Sequence, residues 1–329
     1  MAMMYQFFIS SILRMTAICC SLLLAAVPAR GGDPACQAGP PEPHAAVILA
    51  EILQAKQAIL ARGGPQGSPL DPAACLFLTY WDFDGTVLKG DCTEGLVDAG
   101  KPAYLGLFES CVRGGHVAGV TPDAAGFAAA FARYRDMEEH IGPWLAYPYL
   151  AQALYGANAR EIEDLAARHF RTCQQPWTFS SSLAIMRGLR AAGIEVRVIS
   201  ASPHVFLQGI AREMPEISMA TGIRTLIRDG KITNQLDYPV TYAEGKATLI
   251  DRQLESIARE QPGKHCHVLA GFGNSHGTDG PFLRRIANMS LPAGGSPVVV
   301  MINGGNPPPQ YAKLFRTVNQ HAVTGSVKP

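Results

Sequence analysis

Apolar positions fall in two rhythms along this chain. Strand-like, mainly apolar runs stand at CLFLTYW (Cys75–Trp81), IEVRVIS (Ile194–Ser200), CHVLAGFGN (Cys266–Asn274) and SPVVVMIN (Ser296–Asn303). Runs of this length, the last three ending at Gly, Asn or Ser, predict strands, and the first predicts a central strand buried on both faces. Helical spacing marks HAAVILAEILQAKQAILARGG, AAGFAAAFARYRDMEEHI, NAREIEDLAARHF and SSLAIMRGLRAAG, the last closed by Gly193. Strands alternating with helices predict a parallel sheet in a layered α/β domain. About ninety residues between the first two strands hold helical patterns broken by GPWLAYPYL, with no long strand; they read as an inserted helical cap over 91–180. The core is then 75–90 and 181–329, with a leader and one amphipathic helix over 30–74.

The first 29 residues break this rhythm. MTAICCSLLLAAVPA is a short apolar run behind Arg14 that ends in Val27-Pro28-Ala29. It predicts a signal peptide cleaved after Ala29, and an exported protein of the periplasm or extracellular space with no stable span left behind. Cys19 and Cys20 leave with that segment. Cys36, Cys75, Cys92, Cys111, Cys173 and Cys266 remain, an even number that in an exported chain suggests disulfides, Cys92 with Cys111 being the favoured pair. Two histidines flank Cys266 on one face of a strand, a pattern read as structural. Net charge is +1, so composition suggests neither a nucleic-acid track nor a polybasic membrane patch. Oligomeric state is not legible.

Ligands of open parallel sheets bind beyond the carboxyl ends of the strands. Four such ends carry chemistry. After the first strand come Asp82, Asp84, Gly85 and Thr86. Residues two apart share a face in extended chain, so both carboxylates can serve one site. A divalent cation would offset their repulsion and keep Asp82 ionised as a nucleophile, with Asp84 as general acid and base. Ser200 ends the second strand, and its hydroxyl can donate to a phosphoryl oxygen. Lys246 opens a helix and can neutralise charge. Asn274 and Asp279 sit in the Gly-rich loop GFGNSHGTDG and offer oxygen ligands suited to Mg²⁺.

In this order, DFDGT, VISAS, Gly245-Lys246 and GFGNSHGTD resemble the four motifs of the haloacid dehalogenase superfamily. The resemblance implies a Rossmann-like three-layer core, Asp82 as nucleophile, Asp84 as acid/base, Thr86, Ser200 and Lys246 on phosphate, and Asp82, Asp84 through its backbone carbonyl, Asn274 and Asp279 on Mg²⁺. Asn274 departs from the pattern, which has Asp there, and implies weaker metal binding. The helical insert looks like the cap of the phosphoserine-phosphatase branch. The fourth motif, running into DGPFL, looks most like secreted phosphorylcholine phosphatases.

The implied activity is hydrolysis of a small phosphomonoester through an aspartyl-phosphate, with phosphocholine a candidate. Trp144, Tyr147, Tyr149, Tyr155 and Trp177 in the insert are candidates for a quaternary-ammonium cage, at roughly 0.5–2 kcal/mol per contact. Asp91 and Glu94 could add carboxylates for a cationic amine. Phosphoserine or another small phosphomonoester is the alternative substrate, and a non-catalytic exported binding protein the alternative class. A true dehalogenase has no need of Asp84. No chemical role is assigned to the 303–310 loop.

Overall fold

The computed structural model describes residues 38–325. The expected signal segment, its cleavage after Ala29, and Cys19, Cys20 and Cys36 lie outside these residues.

A seven-stranded sheet forms the middle layer, in spatial order β6-β5-β4-β1-β7-β8-β9. Its strands are β1 (Cys75–Trp81), β4 (Glu195–Pro203), β5 (Met219–Arg228), β6 (Lys231–Asp237), β7 (His265–Gly273), β8 (Val298–Ile302) and β9 (Arg316–Val318). All neighbours run parallel except β5 and β6, which form an antiparallel hairpin at one edge. The parallel α/β core predicted from strands alternating with helices is what forms.

β1 is central because its side chains are apolar on both faces. Phe77 through Trp81 are buried. Trp81 pairs with Phe272 of β7, their rings stacked at 3.6 Å. The chain leaves β1 to build β4, β5 and β6 on one side, then returns to build β7, β8 and β9 on the other. That reversal puts a topological switch point at the carboxyl ends of β1, β4 and β7, where a parallel sheet opens a crevice.

Helices cover both faces. α1 (Pro43–Arg62) is apolar and long enough to cross a membrane by length and composition alone. Its Ala45, Ile48, Ile52 and Ile59 are buried in the protein core. It packs on α6 (Ser180–Ala191), where a side chain at Gly188 would run into Leu49. α7 (His204–Glu213), α8 (Glu244–Glu260) and α9 (Gly280–Ala287) complete the layers.

The segment between β1 and β4 holds α2 (Leu107–Arg113), α3 (Ala124–His140), α4 (Pro143–Gln152) and α5 (Ala159–His169). It opens with a two-stranded ribbon, β2 (Gly95–Asp98) and β3 (Lys101–Leu105), too short for the apolar pattern to reveal. GPWLAYPYL, read as a break, is instead helix α4. Pro143 sits at its first turn, where a missing N–H costs nothing, and the internal Pro148 is tolerated while buried. The insert is also tied to the core sheet. Gly156 N donates to Ile232 O (2.8 Å) and Ala159 N to Gly230 O (2.9 Å), joining the α4–α5 turn to the β5–β6 hairpin.

The expected disulfides do not form among the described residues. Cys75, Cys92, Cys111, Cys173 and Cys266 are free thiols. Cys92 and Cys111 are each buried: the Cys92 thiol is engaged by Thr93 and Ser202, and Cys111 packs in the apolar core. His267 packs against Phe77 at 5.5 Å, while His265 is exposed.

Candidate active site

Asp82 is the first residue past β1, yet its N–H still donates to Phe272 O at 2.8 Å. The sheet thus fixes its backbone. The chain then turns sharply. Phe83 O accepts from Val87 N and Leu88 N, and Gly85 N donates back to Leu88 O. Gly85 has φ +73°, and a Cβ there would lie 1.9 Å from Asn274 Nδ2. Only glycine meets both demands. The turn folds Asp84 back beside Asp82, and both line one cavity of about 180 Å³.

Lys246 reaches Asp82 from α8. Its Nζ donates to Asp82 Oδ1 at 2.6 Å and to Asp279 Oδ1 at 2.6 Å, and it is fully buried. Burial opposes the ammonium, but the Asp279 and Asp82 carboxylates outweigh it and hold its pKa above the ordinary lysine range. Thr86 Oγ1 donates to the other Asp82 oxygen at 3.0 Å. Burial, then the Asp279 charge, pushes the Asp82 carboxyl up to about 7; Lys246 pulls it back in part, and Asp84 adds to the rise.

Asp84 faces the opposite wall. Its Oδ1 accepts from Cys92 N (2.7 Å), and its Oδ2 from Ser202 Oγ (2.7 Å) and Ser200 Oγ (3.1 Å). β4 does not stop at Ser200 but runs to Pro203, with a register shift against β5 between Ile199 and Pro203. Thr241 Oγ1 donates to Ser200 O at 2.6 Å and holds that irregular segment.

Asn274 lines the cavity; Asp279 does not. Asp279 Oδ2 accepts from Asn274 N (2.9 Å) and Ser275 N (3.0 Å), while its Oδ1 takes Lys246. Both oxygens are therefore committed within the protein, and Asp279 serves to anchor the Gly-rich loop and Lys246. The 303–310 loop braces the same region. A Cβ on Gly304 would stand 2.9 Å from Asn274 O, and Tyr311 stacks near His276 at 5.9 Å.

The cavity wall facing α3 and α4 carries Asp91, Glu94, Tyr134 and Tyr147. Asp91 Oδ1 caps Thr93 N and Glu94 N at 2.7 and 2.9 Å. Glu94 takes the Tyr134 hydroxyl and Arg135. Burial and the neighbouring Asp84 and Glu94 charges push Asp91 well above the usual carboxylate range, and burial also raises Glu94.

The other aromatic candidates are not brought to this wall. Trp144 is 61% exposed, donates its indole N–H to Ile141 O, and borders a separate surface recess. Tyr149 lies under Arg133, Tyr155 is on the outer surface, and Trp177 is buried beside Tyr104. Helical periodicity places residues on a face but does not say which face meets the site. Reasoning from sequence also passed over Thr93, Tyr134, Ser202, Ser275 and Thr278, all of which line the cavity. Ser202 had a signal: it stands two residues from Ser200 on one strand, hence on the same side.

The donors open to the cavity suit a hard divalent cation. Asp82, Asp84 and Asn274 offer oxygen atoms, and the excess of buried carboxylates over the single Lys246 leaves negative charge to be offset. Asp84, Asp91 and Cys92 also cluster within 4.8 Å. That trio does not fit such an ion, because burial and the adjacent carboxylates push the Cys92 thiol up and keep it protonated.

A family model for haloacid dehalogenase-like hydrolases matches residues 79–284. No curated protein matches the sequence. Among solved structures, a protein of unknown function from Bordetella pertussis Tohama I is similar in fold, at 16% identity and a TM-score of 0.55, covering 74% of this chain and 98% of that one. Cytosolic 5'-nucleotidase IIIB bound to cytidine is similar at 14% identity and a TM-score of 0.50, covering 83% and 86%. A substrate-bound phosphoserine phosphatase is similar at 13% identity and a TM-score of 0.43, covering 75% and 94%. The matched span begins within β1, ends within α9, and contains all four strand-end sites, so the chain belongs to the haloacid dehalogenase-like hydrolase family.

Proposed function

We propose that this protein is an exported, Mg²⁺-dependent phosphomonoesterase that acts on a small phosphoester bearing a cationic amine, phosphocholine being the leading candidate. One observation carries the reaction class. Asp82 faces the cavity with one oxygen held by Lys246 and the other by Thr86, and Asp84 stands across from it.

An Asp82 oxygen attacks phosphorus while the P–O bond to the leaving group breaks. The leaving oxygen keeps the bonding electron pair and takes a proton from Asp84. Water then attacks the aspartyl-phosphate, gives its proton to Asp84, and releases phosphate with Asp82 restored. Ser200 holds the phosphoryl group from the cavity wall, while Lys246 and Thr86, both buried and outside the lining, hold the two Asp82 oxygens and Lys246 balances charge from behind. A divalent ion held by the Asp82 carboxylate, the Asp84 backbone carbonyl and Asn274 would lower the Asp82 pKa and balance phosphoryl charge, leaving the Asp84 carboxyl free for proton transfer.

The lining supports the substrate class. It carries Asp91 and Glu94 but no Lys, Arg or His. A substrate ammonium would offset the burial and the repulsion that raise Asp91. A substrate carboxylate, as in phosphoserine, would find no cation on this wall. Tyr147 offers a ring face to a quaternary amine, whereas the buried Tyr134 ring is already covered by Arg135 and its hydroxyl holds Glu94. The cavity's size suits a metabolite and not a polymer.

Phosphate release from phosphocholine, phosphoethanolamine, phosphoserine and p-nitrophenyl phosphate, with and without Mg²⁺, tests this reading. We expect Mg²⁺-dependent turnover, with phosphocholine and phosphoethanolamine preferred over phosphoserine. Absence of turnover on all four, in protein that binds Mg²⁺, would favour a non-catalytic binding protein.

A further inference from the structure

Two serines stand on the same side of β4 at the cavity, and both touch Asp84. The phosphatase reading gives work to only one of them, Ser200. The other, Ser202, is buried and its hydrogen bonds are fully determined. Thr93 Oγ1 donates to Ser202 Oγ at 3.0 Å, and the Cys92 thiol donates at 3.5 Å. Both lone pairs of the Ser202 oxygen are thereby occupied. Its single proton is left for Asp84 Oδ2, at 2.7 Å. The other Asp84 oxygen takes Cys92 N. The carboxylate plane is therefore pinned from both sides, by β4 and by the first residues of the insert.

We infer that Ser202 is a positioning residue for the acid/base step, dividing labour with Ser200; this rests on the phosphomonoesterase reading above. Ser200 Oγ is the longer contact to Asp84 Oδ2, at 3.1 Å, and accepts from Ser202 N at 3.0 Å. When a phosphoryl group arrives, the Ser200 proton turns to it. That turn frees one lone pair of Asp84 Oδ2, which takes up a proton from solvent, passes it to the leaving oxygen and regains one from the attacking water. Ser202 keeps the same oxygen in place throughout, and its own proton never leaves. Thr93 extends the hold into the insert, so the acid/base geometry depends on a residue that the insert contributes.

The leaving group separates this role from a structural one. Departure of an alkyl alkoxide needs the Asp84 proton, whereas p-nitrophenolate departs without it. The parameter kcat/KM covers all steps through leaving-group departure. In Ser202→Ala we expect kcat/KM to fall ~10-fold for phosphocholine or phosphoethanolamine, whichever the wild type turns over, and to stay within about twofold for p-nitrophenyl phosphate. Thr93→Val should show the same selectivity at about threefold, and Thr93→Ser should match wild type, so the inference does not hang on one variant folding. Inhibition by vanadate should weaken in Ser200→Ala and hold in Ser202→Ala. Equal losses on alkyl and aryl esters, or an unchanged alkyl ester rate, would overturn the assignment. A wild type that hydrolyses neither ester would instead remove the phosphatase reading itself, and this inference with it.

Discussion

Lys246 Nζ lies 2.6 Å from Asp82 Oδ1 and 2.6 Å from Asp279 Oδ1, so one buried ammonium joins the end of β1 to the loop after β7. Removing it would strand two buried carboxylates. Lys246→Met should cost about 3–5 kcal/mol, by the rule for a buried pair with one partner deleted. It should also lower kcat/KM by at least ~100-fold, as the charge balance and the orientation of Asp82 go together. Urea unfolding and steady-state kinetics measure the two losses. Adding Asp279→Asn to Lys246→Met should recover part of the stability and none of the activity.

Asn274 is the oxygen donor without charge at this site, and its amide packs over the Gly85 turn. Asn274→Asp places a further carboxylate near Asp82 and Asp84. Metal-free protein should lose about 1–2 kcal/mol through like-charge repulsion. Mg²⁺ affinity should rise roughly tenfold, because the ion then meets one more anionic ligand. Calorimetric Mg²⁺ titration of both proteins, with Tm measured with and without the ion, checks both signs. An unchanged affinity would remove Asn274 from the metal site.

Much of this arrangement was legible because it is local and periodic. The four apolar runs could be buried only in a central sheet, and the residues after them had to fall at its carboxyl edge. Asp82, Asp84, Ser200 and Asn274 line the cavity for that reason. Other features depend on long-range contacts that no local pattern encodes. Asp279 turns inward because Lys246, 33 residues earlier, reaches it from α8. Trp144 turns outward because α4 presents a different face to the cavity. Cys92 and Cys111 looked like partners by proximity in sequence, but burial in separate contacts leaves each a thiol.

His204 supplies a pH test remote from the metal donors. It opens α7, and its Nδ1 accepts from Gly222 N at 3.3 Å, which requires the neutral ring. Burial, then the Arg224 charge, pushes its pKa down to about 4, while Asp237 opposes them. The folded value is below the unfolded value of about 6.5. Stability from keeping this ring neutral is therefore complete above the unfolded pKa and is lost as pH falls towards 4. Wild type should lose roughly 2–3 kcal/mol more than His204→Asn between pH 7 and pH 4.5, at about 1.4 kcal/mol per pH unit in that window. Urea unfolding at the two pH values gives the difference. Equal losses would place the acid-labile charge elsewhere.

Tyr147 and Trp144 are three residues apart on α4, and only Tyr147 lines the cavity. Its ring meets Tyr242 edge-on at 5.5 Å, joining the insert to the loop before α8. Burial and the nearby Glu138, Asp91 and Glu94 charges raise its hydroxyl pKa, so the ring stays neutral and its face is available to a cation. Tyr147→Ala should raise KM for phosphocholine about 5- to 10-fold, the equivalent of one cation–π contact of roughly 1 kcal/mol, while KM for p-nitrophenyl phosphate stays within about twofold. Tyr147→Phe keeps the ring and should keep the phosphocholine KM. Trp144→Ala should leave both substrates within about twofold, since its indole borders the recess formed with Pro148, Tyr238 and Tyr242. A phosphocholine-specific defect in Trp144→Ala, with Tyr147→Ala silent, would move the amine subsite to that outer recess and reverse the assignment.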